Sequence, residues 1–387
     1  MVTLGWVSFL TDVSSEMIYP LLPNFLTRTL RGGPTALGLI EGVAEATASL
    51  AKLLSGWWSD RTRRRKPLVV FGYALAAVAR PLVGLATAWT QVLAIRFADR
   101  MGKGIRTAPR DALLGDLAPA RGRGRAFGLQ RSMDNAGAVV GPLLAAFLLR
   151  YVVSEERVVF LLAFIPAVAG LVLLIARVPD VAPTSPPHPK VPRDASPLPR
   201  RLLALVGVYA LFSLAFAREA FLLLRAQDAG IALWQLPLLW AYVSGVKAVV
   251  GVPAGTLADR IGRVPVLCMG WAIVVVAYLG FAFASTPRTI WILFGFYAVA
   301  PAMAEPAERS LLTDLTRPEQ RGRAFGLFHA AIGIASLPAA LLFGLWWKLF
   351  GAPTAFGISA ALASAATVAL LVWNSRRKSE RSAQEST

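Results

Sequence analysis

The chain has 387 residues, of which 56% are hydrophobic and 16% charged, with a mean hydropathy of +0.57; that balance excludes an ordinary soluble domain and points to a membrane protein. Lys and Arg number 40 against 22 Asp and Glu, a formal charge of +18. In a soluble chain this excess would suggest nucleic acid, but most of it lies in loops on one side of the membrane. A single cysteine, Cys268, excludes an intrachain disulfide. Two histidines with no HExxH and no Cys/His cluster leave no metal site of the usual zinc kinds.

A crossing helix needs about 20 mostly apolar residues. Allowing a few charges on protein-facing sides, the chain predicts an all-α membrane protein of twelve spans: 3–25, 35–57, 67–86, 90–113, 126–149, 158–177, 203–224, 235–257, 265–285, 289–312, 324–347 and 354–374. The opening MVTLGWVSFL lacks the basic n-region and cleavage site of a signal peptide and reads as the start of a retained first span. RTRRRK at 61–66, ARGRGR at 120–125, PRR at 199–201, DRIGR at 259–263, RPEQRGR at 317–323 and SRRKSER at 375–381 all fall on one side. The positive-inside rule makes that side, with both termini, cytoplasmic, and so predicts a multi-pass protein of the inner membrane.

The spans carry charge in a definite order. Span one has Asp12 and Glu16, about 40° apart on a helix. Span two has Glu41, Glu45 and Lys52 on one face, and span four a stripe with Arg96, Asp99, Arg100, Lys103, Arg106 and Arg110. Arg131 and Asp134 follow on span five, and GAVVGP at 137–142 places Gly137, Gly141 and Pro142 on the same helix. Buried charges cost about 2.5–3.5 kcal/mol on insertion scales, so these residues face the protein interior. Close acids raise one another's pKa, which makes Asp12, Glu16, Glu41 and Glu45 proton-binding candidates. Arg96, Arg100 and Lys103 either neutralise those acids or receive an anionic substrate; both readings stand.

A stretch with eight prolines, Pro179 to Pro199, forms a stiff connector. The predicted organisation is an N-terminal six-helix half at 1–178, a linker at 179–201, a C-terminal half at 202–375 and a cytoplasmic tail at 376–387. RGRAFGL at 123–129 recurs at 321–327, with Asp116 and Asp314 also 198 apart. GWWSDRTRRR at 56–65 echoes GTLADRIGR at 255–263. Two pseudo-symmetric six-helix bundles follow from this duplication. The second half is less charged inside: Arg218 and Glu219 on span seven, Lys247 on span eight, Glu305, Glu308 and Arg309 on span ten, and His329, a further proton-carrier candidate, on span eleven. Trp234, Trp240, Tyr242, Phe294, Phe296 and Tyr297 are candidates for a substrate wall.

At these repeated turns the sequence resembles the major facilitator superfamily over essentially its whole length. Gly56, Asp60, Arg61, Arg64 and Arg65 fit that family's G-x-x-x-D-R-x-x-R-R signature, and Gly255, Asp259, Arg260, Gly262 and Arg263 repeat it. The resemblance implies a conformational switch at these residues, with the glycine permitting close helix approach. Arg100 and Gly104 are similar to a fourth-span R-x-x-x-G pattern. Gly137, Gly141 and Pro142 resemble a pattern linked to proton antiporters, though Ala145 and Ala146 depart from its usual glycines. TDVSSEMIYPLLP with DRMGKGIRTAPRDAL looks like a branch of prokaryotic permeases. The expectation is a secondary active transporter, not an enzyme, driven by the proton gradient without a cofactor. Its partners would be a small charged solute, anionic or zwitterionic, and the lipid bilayer, with no nucleic acid, and it would work as a monomer. Efflux by proton antiport is the first expectation; proton-symport uptake and lipid translocation are the alternatives.

Overall fold

The computed structural model describes residues 2–62, 65–117, 123–179, 196–317 and 320–385, with the side chains at 56, 57, 60–62, 123, 124 and 377–385 excepted. Among the described residues every regular element is helical. We number the twelve crossings α1 (Val2–Ile18, extended by short turns to Thr29), α2 (Gly33–Thr62), α3 (Arg65–Leu85), α4 (Trp89–Leu117), α5 (Arg123–Tyr151) and α6 (Glu156–Leu162 with Phe164–Arg177). There follow α7 (Arg200–Ala215 with Glu219–Asp228), α8 (Gln235–Ile261), α9 (Arg263–Phe283), α10 (Pro287–Asp314), α11 (Arg321–Phe350) and α12 (Ala352–Arg376, helical on to 385). Gly262, at φ 97°, turns α8 into α9, and Gly351, at φ 85°, separates α11 from α12; both conformations suit a residue without a Cβ.

Besides the one-residue break at Ala163 within α6, two spans differ from the sequence expectation of unbroken helices. The α-helix of α1 ends at Ile18 and continues as a 3-10 turn over Tyr19–Leu21, a short helical turn and a π turn over Phe25–Thr29. Pro20 and Pro23, which lack an N–H, account for that change. The second is α7, which is interrupted between Ala215 and Glu219, although no glycine or proline stands there.

Nine of the described helices are long and apolar enough to cross a membrane by composition alone. The three that complete the twelve are α1, α2 and α4, the spans with the acids and the basic stripe. Large apolar side chains on the other helices point outward, such as Phe283 at 80% and Val252 at 77% exposure. A bilayer in place of water makes such exposure favourable, while the backbone bonds stay within each helix.

The chain divides into two compact units. Unit one is Met1–Pro189 with Glu219–Ser244, and unit two is Lys190–Arg218 with Gly245–Thr387. The chain thus changes unit within the expected Pro-rich connector, after Pro189, and again at the interruption of α7 and within α8. In unit one α1 packs on α5 and α6, while α4 packs on both α2 and α3. Small residues set these distances, as expected where apolar burial does not drive helix association. A Cβ on Gly72 of α3 or on Gly102 of α4 would meet the other's carbonyl oxygen at 2.6 Å. Gly104 lies as tightly on α2, its Cβ position 2.8 Å from the Ala48 carbonyl oxygen. Unit two is held by aromatics: Trp271 of α9 stacks on Phe212 of α7 at 4.0 Å, and Tyr209 meets both Trp271 and Phe328 edge-on.

Replacing Gly102 by Val overpacks the α3–α4 crossing and is expected to cost about 1–3 kcal/mol. Thermal unfolding in detergent checks this. Gly115→Ala, on the same helix with nothing within 4 Å of its Cβ position, is expected to leave the midpoint unchanged.

Candidate functional site

In unit one, four helices are joined through Asp99 of α4. Its carboxylate lies 3.0 Å from Arg80 Nε of α3, 3.5 Å from Arg96 Nη1 and 3.7 Å from Arg100 Nε. Arg96 donates from Nη2 to Glu41 Oε1 of α2 at 3.1 Å, and Arg80 donates from Nη1 to the Thr11 carbonyl of α1 at 2.8 Å. Asp99, Glu41, Arg80 and Arg96 are almost wholly buried. Each charge is therefore met by an opposite one or by a backbone dipole, as burial demands. Arg80 was not singled out by the sequence reading; its signal was a lone arginine inside the apolar run ALAAVARPLVG. Glu41, one of the expected proton carriers, is bonded to Arg96.

Two to three turns further along α4 the basic stripe continues differently. The Arg106 guanidinium lies 4.4 Å over the Tyr73 ring. Arg110 donates to Asp111 at 3.0 Å and to Ser8 Oγ at 3.1 Å, and lies 3.9 Å from Asp134. Gln130 donates to Ser8 and, at 3.2 Å, to Asp134. Asp134 meets Arg110 across the α4–α5 contact and is also acted on by Arg131 of its own helix, as expected, although the Arg131 side chain is exposed.

The acids of α1 stand at a different contact. Asp12 and Glu16 are half-buried, and the charges that act on Asp12 are Lys103, Glu16, Arg106 and Arg110. Glu16 accepts a hydrogen bond from Trp240 Nε1 of α8 at 2.6 Å, and the Trp240 ring packs on Tyr19 at 4.9 Å. Trp240 therefore serves an acid in unit one, a role different from the substrate wall expected of it. Gly137 and Gly141 of α5 press on this same turn of α1. A Cβ at Gly137 would lie 2.9 Å from Asp12 Cβ, and one at Gly141 would lie 2.6 Å from the Val13 carbonyl oxygen and 3.1 Å from Glu16 Cβ. Pro142 is buried just beyond them. Glu45 is half-buried and acts electrostatically on Arg100, while Lys52 and Lys103 are exposed.

The far end of unit one has a polar cluster that sequence reasoning missed. Glu156 accepts hydrogen bonds from Asn24 Nδ2 at 2.5 Å and Thr29 Oγ1 at 2.6 Å, and Gln227 of α7 donates to Asn24. Arg28 lies 3.7 Å from Asp228. These contacts tie the second segment of α7, which begins at the half-buried Glu219, to α1 and α6.

Unit two encloses a cavity of about 280 Å³ beside the interruption of α7. Tyr209, Phe212, Phe216 and Trp271 form its aromatic wall, and Arg218, Glu305 and Glu308 supply charge. Within the interruption the Ala217 carbonyl accepts a bond from Tyr278 Oη at 3.3 Å. Discontinuous helices in membranes are tolerated where they line a cavity. Of the aromatics expected here, Phe294 and Tyr297 are buried against Phe281 and Tyr278, and Phe296 is exposed. His329 is exposed, with its ring 5.4 Å from Phe328, and neither it nor the half-buried Lys247 lines the cavity.

The duplicated turns yield one ion pair in each unit. Arg65 pairs with Asp116, and Arg263 lies 3.1 Å from Asp314. Both residues of one pair stand 198 positions before those of the other, so Arg65 is the counterpart of Arg263. The side chains of Gly56, Asp60 and Arg61, and the whole of Arg64, lie outside the described residues. Asp259 and Arg260 are exposed at the end of α8. Gly255 does not provide the close helix approach expected of it, because its nearest neighbour is Pro306 Cβ at 3.9 Å, an ordinary contact.

Asp99→Asn leaves Arg80, Arg96 and Arg100 without their shared counter-charge and is expected to cost about 3–5 kcal/mol. The exposed Asp259→Asn is expected to stay within about 0.5 kcal/mol. Thermal unfolding of the two purified variants in detergent distinguishes them.

The model of the Major Facilitator Superfamily matches residues 4–246 and 221–387. An uncharacterized MFS-type transporter of Methanocaldococcus jannaschii is 34% identical over 355 residues, covering 89% of this chain and 88% of that protein. The multidrug resistance protein MdtH of Aeromonas hydrophila is 25% identical over 336 residues, with 85% and 83% covered. Among solved structures, the nucleoside transporter NupG aligns with a TM-score of 0.81 at 11% identity, covering 96% of this chain and 99% of that one. A bacterial homolog of the human lysosomal transporter Spinster aligns with a TM-score of 0.74 at 16% identity, covering 96% and 94%. These two show the fold. Matched across both halves by the family model and along most of its length by a full-size relative, the chain belongs to the major facilitator superfamily of multi-pass membrane transporters.

Proposed function

We propose that the chain is a proton-coupled antiporter of the inner membrane, with both termini cytoplasmic, that exports a small zwitterionic amphiphile by alternating access. The observation that carries the coupling is the seating of Gly137 and Gly141 on the turn of α1 that bears Asp12 and Glu16. At backbone contact, a change of charge or side-chain position on that turn is felt by α5 with no flexible side chain between to absorb it. Lys103 supplies a counter-charge to Asp12, and the Trp240 indole holds Glu16 in one orientation. Glu41 is committed to Arg96, so Asp12 and Glu16 are the proton carriers and Glu45 is secondary. The relative named for multidrug resistance agrees with export.

Substrate chemistry follows from the unit-two cavity. Its aromatic wall suits an apolar body, Glu305 and Glu308 suit an ammonium group, and Arg218 suits a carboxylate or phosphate. Because Arg96 and Arg100 of α4 are engaged by Asp99 and Glu41, they favour an anion less than their number suggests, and a zwitterion fits better.

In proteoliposomes with an imposed proton gradient, Asp12→Asn with Glu16→Gln is expected to lower uphill transport at least tenfold while gradient-free exchange continues. Undiminished proton-driven transport in the double variant overturns the coupling assignment. Glu305→Gln with Glu308→Gln is expected to weaken binding of an ammonium-bearing amphiphile roughly tenfold or more, from the loss of charged hydrogen bonds of about 1.5–3 kcal/mol. A neutral analogue of the same shape should bind as before; equal loss for both analogues overturns the assignment of charge.

A further inference from the structure

The transport reading leaves unused a second cavity in unit two, about 440 Å³ in volume, at the loop end of α7 and α12. Its mouth is formed by Arg200 and Arg201, at the first turn of α7, and by Arg376, at the end of the α12 crossing. Deeper in, the lining becomes apolar: Ala204 and Val208 on one helix, Ala369 and Val372 on the other. Arg200, Ala204 and Val208 are spaced i, i+4, i+8, and Arg376, Val372 and Ala369 run back at the matching helical spacing. One face of each helix thus changes from cationic to apolar over about 12 Å, the rise of eight helical residues. Trp373 closes the groove between them, donating from Nε1 to the Arg201 carbonyl at 3.0 Å and so tying the two helix ends together.

We propose that this groove binds an anionic phospholipid, with its phosphate among the three arginines and its chains along the apolar lining. Charge complementarity selects the headgroup, since three arginines line the mouth and, among the described residues, no carboxylate lines the cavity. Arginine recognises phosphate through its planar fork of donors. The apolar continuation fixes the source as a lipid, because a soluble phosphate would use only the mouth. The position suits it too: loop-end basic pockets between membrane helices stand at headgroup depth, and the amphipathic Trp373 belongs to that interface. The site is separate from the aromatic cavity of the transport reading and does not depend on it.

Native mass spectrometry of the intact detergent-solubilised chain, titrated with phosphatidylglycerol, phosphatidylcholine or glycerol phosphate, tests the proposal. Phosphatidylglycerol is expected to be retained at one copy per chain in preference to phosphatidylcholine, with little retention of glycerol phosphate. Arg200→Gln with Arg201→Gln and Arg376→Gln is expected to weaken that retention roughly a hundredfold, at about fivefold for each charge near the headgroup. The three Arg→Lys changes should keep most of it, and the single Arg376→Gln serves if the triple variant does not purify as a monodisperse species. Equal retention of the two lipids, an unchanged phosphatidylglycerol affinity in the Gln variants, or glycerol phosphate binding as tightly as the lipid overturns it.

Discussion

A carboxylate among three guanidinium groups, deep in unit one, is the arrangement around which that unit is built. Asp99 binds Arg80, Arg96 and Arg100 into one cluster, and Arg96 brings in Glu41, so that α2, α3 and α4 are joined through charge; the Arg80 bond to the Thr11 carbonyl adds α1. Each of these ions is costly in a low-dielectric interior. The cost is offset only while every partner stays in place, so the cluster fixes the relative positions of the helices that carry it. It also explains why α2 and α4 are too polar to look like membrane helices by composition, yet cross one.

That fixed cluster gives the acids of α1 a different standing. Asp12 and Glu16 form none of its ion pairs: both are half-buried, Asp12 is acted on by Lys103, and Glu16 is bonded to Trp240 while acting at longer range on Arg100. Their neighbour on the second side is the glycine face of α5, which holds two backbones in contact. Unit two has the opposite character: its interior is aromatic, and its charges gather at the cavity beside the interrupted α7. The repeated sequence does not produce repeated chemistry. What the two units share is the ion pair of Arg65 with Asp116 and of Arg263 with Asp314, a structural tie at a duplicated turn.

Much of the architecture was legible because its signals are local. Apolar length marks a crossing helix, and a repeat at an offset of 198 marks a duplication. The buried charge of α1, α2 and α4 was legible too, since an ion in an apolar run must face protein. Partners were not legible, because an arginine in a span says that it needs a carboxylate but not which one. That Glu41 bonds Arg96 could not be read from either residue, and Arg80 drew no notice because its partner lies 19 residues away on another helix. The break in α7 left no trace either: AFAREAF contains no helix breaker, and the cavity beside it is lined by residues of α7, α9, α10 and α11 together.

By itself, the sequence determined the twelve crossings, the duplication, the family and the presence of charge inside the first half, all of which depend on composition and spacing along one chain. Only the tertiary structure decided which charges are paired with which, that Gly137 and Gly141 abut Asp12 and Glu16, and that arginines from two distant segments share one groove. These are matters of distance between helices. Helix spacing is set by the packing of many small side chains at once, and no single stretch of residues records it.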